Sequence, residues 1–238
     1  EYVKWIIEDL RNGDFDKALR QINESLSTNA GNNSAITLKA SILRRLGDQD
    51  GAMKILSEIV KSDPLDFRAA NEMYLIAAKA GKQKESEVLL NGINRKMRDF
   101  DQNYLELAVG YLNDGMADEA EEVLKRFKGK DQEISYYLGF INDSKGKRSE
   151  AEKYFKEGSA QPVDYGFPFR LESEKVILTA AKYLPGDAKP HYYLGNLLYD
   201  KQPARAIKSW EKAVELDASL AIAWRNLGFG YYQHANDL

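Results

Sequence analysis

The sequence predicts an all-α fold: a solenoid of stacked helix pairs, interrupted once by an irregular half-repeat. Three observations predict it. Gly13, Gly47, Gly81 and Gly115 recur at intervals of 34, and Gly146 follows after 31. Between these glycines apolar residues return at helical spacing, as in Leu107, Ala108, Tyr111 and Leu112 before Gly115, and Ala120, Val123, Leu124 and Phe127 after it. No segment alternates apolar and polar residues over the length of a strand.

The elements follow from the turn chemistry. Glycine takes the left-handed conformation after a helix at little cost, and an Asp behind it can cap the next helix, as the Gly13-Asp14 and Gly47-Asp48 pairs suggest. Helix pairs are expected at about 2–28, 34–62, 66–96, 101–128, 132–160 and 188–217, with a lone final helix at about 220–234. Pro162 and Pro185 lie 23 apart, which leaves room for one helix at about 172–184 but not for its partner. In the partner's place stands Asp164-Tyr165-Gly166-Phe167-Pro168-Phe169-Arg170, where Gly and Pro disfavour a helix. The third pair is the weakest: Ser86 replaces a close-packing Ala, Asn91-Gly92 falls inside a helix, and no Pro closes it. Altered curvature or added motion is expected there.

Composition narrows the function. The 238 residues carry 34 Lys+Arg against 37 Asp+Glu, a net charge of −3, without the basic excess that general nucleic-acid binding needs. Gly and Pro are too few for a low-complexity chain, and no apolar run is long enough to span a membrane. There is no Cys and only His191 and His234, so thiol chemistry, a three-His zinc site and a His triad are not expected. Phosphate-binding glycine loops and hydrolase motifs are missing, and neither a cofactor nor a metal is expected.

A period of 34 with one helix–turn–helix each resembles the tetratricopeptide repeat family. Trp224-x2-Leu227-Gly228-x2-Tyr231 carries the family's first-helix pattern, Tyr104-x2-Leu107-Ala108-x2-Tyr111 a close variant, and Leu138-Gly139 and Leu194-Gly195 partial ones. Ala206-x3-Trp210-x2-Ala213 and Ala52-x3-Leu56-x2-Ile59 follow the second-helix pattern. The resemblance implies a right-handed α-solenoid, with five repeats over 1–161, a loop plus single helix over 162–187, and one repeat plus the first helix of a truncated repeat over 188–238, all continuous. It also implies that first helices line a concave face. The final helix ends without a capping helix, so a fragment of a larger protein is expected, or else self-association through unfinished ends.

On that face the expected partner contacts are Tyr136, Phe140, Tyr192, Asn196, Tyr199, Arg225, Asn226, Phe229 and Tyr232. Toward the N-terminus, Thr37, Ser41, Arg44, Asn71, Leu75, Leu105 and Val109 take the same positions. Aromatics are lopsided, with 8 of 26 in residues 1–119 and 18 in residues 120–238. Rings with Asn and Arg between them suit an extended peptide, though the same rings serve equally well as packing. Trp210, Trp224 and Tyr231 are expected to be packing residues. Loop residues Tyr165, Phe167, Phe169 and Arg170 either plug the missing helix's place or contact a partner. Asn196 and Asn226 match the two asparagines of tetratricopeptide domains that clamp chaperone C-termini. Tyr192 stands where the clamp's first Lys belongs and the third helix is missing, so that ligand is not expected.

Residues 162–238 also resemble the repeat region of large bacterial proteins carrying a β-rich, sugar-enzyme-like domain of unknown function, through Asp164–Glu172, Tyr193–Lys201, Trp210-Glu211 and Arg225–Gly228. Two functions are therefore carried forward. The first is a non-catalytic scaffold for a protein, a peptide or a neighbouring domain. The second is a helical accessory part of a carbohydrate-active enzyme, lending loop or aromatic contacts to a sugar site.

Overall fold

The computed structural model describes residues 2–164 and 166–234. Among them it contains fourteen α-helices and no strand, and the chain divides into two compact units, Glu1–Phe127 and Lys128–Leu238. The division falls inside the stretch expected as five repeats. No helix among the described residues is long and apolar enough to cross a membrane.

The first unit holds α1 (Tyr2–Asn12), α2 (Phe15–Thr28), α3 (Asn33–Leu46), α4 (Gln49–Ser62), α5 (Phe67–Lys79), α6 (Gln83–Met97), α7 (Asp101–Asn113) and α8 (Ala117–Lys125). The turn glycines behave as expected: Gly13, Gly47, Gly81 and Gly115 have φ of +80°, +91°, +69° and +74°. Behind Gly47 the backbone closes with Gly47 N–H donating to Arg44 O and Asp48 N–H to Leu43 O, which satisfies the last carbonyls of α3. Asp48 then caps α4 by accepting from Gly51 N–H at 2.9 Å, whereas Asp14 makes no such bond to α2. Ala40, Ala52, Leu56, Ile59, Ala69 and Ile76 form the core shared by the second and third pairs.

Stacking is regular through α6 and then changes. Close helix packing joins α2 to α3 and α4 to α5, and stops at the α6–α7 step. α6 offers little to pack against, since Ser86, Ile93 and Met97 are its buried residues and Val88 is 72% exposed. The third pair, the weakest in sequence, is thus where the regular stack ends. The α7–α8 hairpin instead reaches back over α3 and α5. Arg44 of α3 donates to Glu72 of α5 at 2.7 Å and to Glu119 of α8 at 2.9 Å, and Arg45 reaches Glu119 at 2.5 Å. Tyr111 of α7 donates to Glu72 at 2.9 Å and accepts from Asn71 at 2.7 Å. Arg68 lies 3.7 Å over the Tyr111 ring and pairs with Asp114 at 3.0 Å. At the hairpin tip, Gly115 lies against the Arg11 side chain of α1.

The second unit holds α9 (Gln132–Ser144), α10 (Arg148–Ser159), α11 (Ser173–Tyr183), α12 (Ala188–Leu198), α13 (Pro203–Leu216) and α14 (Ala221–His234). α9 pairs with α10 and α12 with α13, while α11 is the lone helix of the half-repeat and packs between α9 and α12. The Leu-Gly motif lets each first helix touch an aromatic of its partner. A Cβ on Gly139 would stand 2.7 Å from the Phe155 ring, and one on Gly195 2.3 Å from the Trp210 indole. Tyr137 donates to Ser173 at 3.0 Å and Ser173 to Glu133 at 2.7 Å, which ties α11 to α9. Lys189 binds the carbonyls of Ser159 and Gln161 at 2.5 and 2.7 Å, fixing the start of the loop.

The loop before α11 alternates like an extended strand. Gly166, Pro168 and Arg170 are buried, while Phe167 and Phe169 are 59% and 64% exposed. For Phe167 and Phe169 the expectation that the rings plug the missing helix's place is therefore corrected. Gly166 fills it, tight against Gln132 and Tyr193, together with Pro168 and Arg170. Tyr165 lies outside the described residues.

Gly195→Ala is expected to destabilise the second unit by about 1–3 kcal/mol through the Trp210 clash. Gly228→Ala meets nothing within 4 Å and lies in a helix interior, so it is expected to stabilise by up to about 1 kcal/mol. Urea denaturation of the two variants measures both signs.

In the first unit, burial and ion pairing shift two carboxyls in opposite directions. Burial opposes charge on Glu72, but Arg44 and Arg68 outweigh it and hold its carboxyl below the usual 4.5. For Asp114 burial prevails over Arg68 and raises the carboxyl above 3.8. The lowered Glu72 adds stability that is complete above pH 4.5 and lost as pH falls through its folded value. The raised Asp114 has the opposite sign. Carboxyl-carbon NMR is expected to show Asp114 titrating above 3.8 and Glu72 titrating below 4.5. The stability lost in Glu72→Gln at neutral pH is expected to shrink below pH 4.5.

Candidate functional site: an amide and aromatic groove on α12–α14

The most concentrated grouping of expected contact residues lies where α12, α13 and α14 meet. Asn196, Tyr199, Asp200, Trp210, Arg225, Asn226 and Phe229 line an open cavity of about 420 Å³. Five of the seven, Asn196, Tyr199, Arg225, Asn226 and Phe229, stand among the residues the sequence singled out. Asp200 and Trp210 do not: Asp200 lies in the glycine-free turn, and Trp210 reads as packing from its repeat position.

The floor is a chain of amides. Asn196 Oδ1 accepts from Trp210 Nε1 at 3.1 Å and from Asn226 Nδ2 at 2.9 Å. Asn226 Oδ1 in turn accepts from Arg225 Nε and Nη2 at 3.3 and 3.2 Å. These contacts fix the orientation of both side-chain amides before any ligand arrives. Asn196 Nδ2 is shielded from solvent and has no hydrogen-bond partner, so a donor remains at the floor. The walls are rings, with Tyr199 5.2 Å from Trp210 and 5.9 Å from Phe229 between centroids. Trp210 is buried by its contact with Gly195, whereas Phe229 is 51% exposed and Arg225 is exposed at the rim. Asp200 supplies an opposite charge at the same mouth. Oriented amides with apolar walls and charged rims can hold a main-chain segment by hydrogen bonds and its side chains by ring contact.

The other expected residues fall elsewhere. Tyr136 and Tyr192 are 2% and 0% exposed and are corrected from contact residues to core. The Tyr136 ring lies on Gly158 of α10 and edge-on to Phe155 and Tyr193, and Tyr192 packs 5.4 Å from Tyr193. Burial pushes the phenols of Tyr136 and Tyr193 well above their usual range. Phe140 is half-buried on α9 and Tyr232 is 80% exposed, and neither is a wall of the cavity. Trp224 and Tyr231, expected as packing, are 50% and 42% exposed. Trp224 Nε1 donates to Ala218 O at 3.0 Å and Tyr231 donates to Glu211, so both rings lie along the helix surface. In the first unit, Thr37, Ser41, Arg44 and Asn71 are buried, and Arg44 and Asn71 bond directly to the α7–α8 hairpin. No group of three His, Asp or Glu side chains placed to hold a metal occurs among the described residues.

A family model described as tetratricopeptide repeat matches residues 3–67. Residues 3–67 are thus similar to tetratricopeptide repeats. This agrees with the left-handed glycine turns and helix pairs of the first unit. Among solved structures, MamA 41-end from Desulfovibrio magneticus RS-1 is 20% identical, with 66% of this chain and 90% of that chain covered and a TM-score of 0.38. A tetratricopeptide repeat protein from Parabacteroides merdae is 12% identical, covering 97% of both chains with a TM-score of 0.39. YrrB, described as a TPR protein with an unusual peptide-binding site, is 15% identical over 91% of this chain and 98% of that chain, with a TM-score of 0.32. No curated protein matches the sequence.

Asn196→Ala is expected to cost about 1–3 kcal/mol, because it strands the buried Trp210 N–H and releases the Asn226 amide. Thermal unfolding measures the loss. A red shift of the Trp210 emission in the folded variant, read with Trp5 and Trp224 replaced by Phe, reports water entering the groove.

Proposed function

We propose that this chain is a non-catalytic interaction scaffold whose α12–α14 groove holds an extended segment of a protein partner. The observation that carries this reading is the Asn196–Asn226–Arg225 amide relay beneath the Tyr199, Trp210 and Phe229 rings. The amides are oriented by their neighbours, so binding orders few protein groups and loses little side-chain entropy. The ligand's apolar side chains meet Tyr199 and Phe229, and an acidic side chain meets Arg225 at the rim. Arg225 is exposed, so its share of affinity is small and screened by salt. The rings, half-covered and rigid, supply most of the contact. The exposed Phe167 and Phe169 of the preceding loop lie outside this groove and serve as the control surface.

Selection from a random peptide library displayed against the intact chain tests the reading. Enriched peptides are expected to share an apolar residue next to an acidic one. They should lose about tenfold or more in affinity to Phe229→Ala, less to Arg225→Ala, and nothing to Phe167→Ala. Enrichment of no sequence, or equal binding by a Phe229→Ala/Arg225→Ala double variant, contradicts it.

A further inference from the structure

In the first unit the face of α3 and α5 is occupied by the chain's own α7–α8 hairpin, and three features of that occupation go together. The first is charge complementarity. Arg44, Arg45 and Arg68 stand on the groove side, where Glu72 pairs with Arg44 and Arg68. The hairpin brings Glu119 to Arg44 and Arg45, and Asp114 to Arg68. Tyr111 completes the set by donating to Glu72 and accepting from Asn71.

The second feature is the connection. Only Arg98, Asp99 and Phe100 join α6 to α7, and Arg98 has φ 57° and ψ −143°. That conformation belongs to glycine, and a side chain adopts it only under strain. The third is incomplete filling. A cavity of about 590 Å³ remains between α7 and the wall of α2, α3 and α5, with Ile22, Leu38, Arg68, Leu107 and Gly110 among its walls.

We infer that the α3–α5 face is a recognition groove for an acid-bearing helical hairpin, and that α7–α8 is its displaceable internal occupant. A second hairpin with carboxylates at the positions of Asp114, at the end of its first helix, and Glu119, in its second, replaces the internal one without leaving an arginine unpaired. The large penalty for stranding a buried charge is therefore avoided in the exchange. A hairpin without those acids cannot take the groove, because Arg44 and Arg68 would lose partners there. This site is independent of the α12–α14 groove.

The chain lacks cysteine, so two introduced cysteines are the only labelling sites. The intact protein is spin-labelled at Lys54→Cys on α4 and Asp118→Cys on α8, and distances are read by pulsed EPR as a synthetic peptide of residues 101–127 is added. A single short distance is expected without peptide, with a longer-distance population that grows saturably as peptide is added. In a Glu119→Gln background, which loosens the internal occupant and changes only one atom's chemistry, half-conversion is expected at about tenfold less peptide, since apparent affinity scales with the open fraction. The same peptide carrying Glu119→Lys is expected to convert neither protein. One unchanged distance in both proteins up to millimolar peptide, or equal conversion by the charge-reversed peptide, overturns the inference.

Discussion

The structure depends on how closely two antiparallel helices can approach behind a left-handed turn. Five residues after Gly13, Gly47, Gly115 and Gly146 stand Ala18, Ala52, Ala120 and Ala151, each fully buried. Ala206 plays the same part in α13. A larger side chain there would push the second helix away from the first and open the core to water. Where the position is relaxed to Ser86, the next pair no longer stacks in register. The glycine sets the reversal, the alanine sets the distance, and the aromatic residues fill what remains.

Close approach also explains where polar chemistry collects. In the second unit Gly195 lets the Trp210 indole lie on α12, which brings its N–H to Asn196 and so aims the amides of the groove. In the first unit the hairpin brings ionic groups of α3, α5, α7 and α8 into one buried network. Glu72 keeps its charge there because two arginines surround it, and Arg44 holds its proton more tightly against burial because two glutamates do the same. Such networks stabilise little in net terms but enforce a specific pairing of helices.

Much of the fold was legible in the sequence, for local reasons. The single helix of the half-repeat is expected at about 172–184 and α11 spans Ser173–Tyr183; the pair expected at about 34–62 is Asn33–Ser62. Turn glycines, helix periodicity and prolines act over a few residues, and the sequence displays them directly. The course of α7–α8 was not legible. Its spacing from Gly81 to Gly115 is the same 34 residues as the regular pairs, and its anchors join Arg44 to Glu119 across 75 positions. In the groove, Asn196, Tyr199, Arg225, Asn226 and Phe229 were legible because helical spacing assigns a face. Tyr136 and Tyr192 have the same spacing but are claimed by the core, because Gly158 and Tyr193 give their rings somewhere to go. Along the loop, Phe167 and Phe169 face outward because an extended chain alternates, and the smaller Gly166 and Pro168 fit the narrow gap.

The seating of α8 on α3 is the geometric claim from which the division of the first unit into stack and hairpin follows. A double-mutant cycle on Arg44→Met and Glu119→Gln, read by urea denaturation, measures it most directly. The two side chains should couple by about 1–3 kcal/mol, as groups in one buried network do. Additivity within about 0.5 kcal/mol would mean that α8 does not lie on that face and would contradict the account.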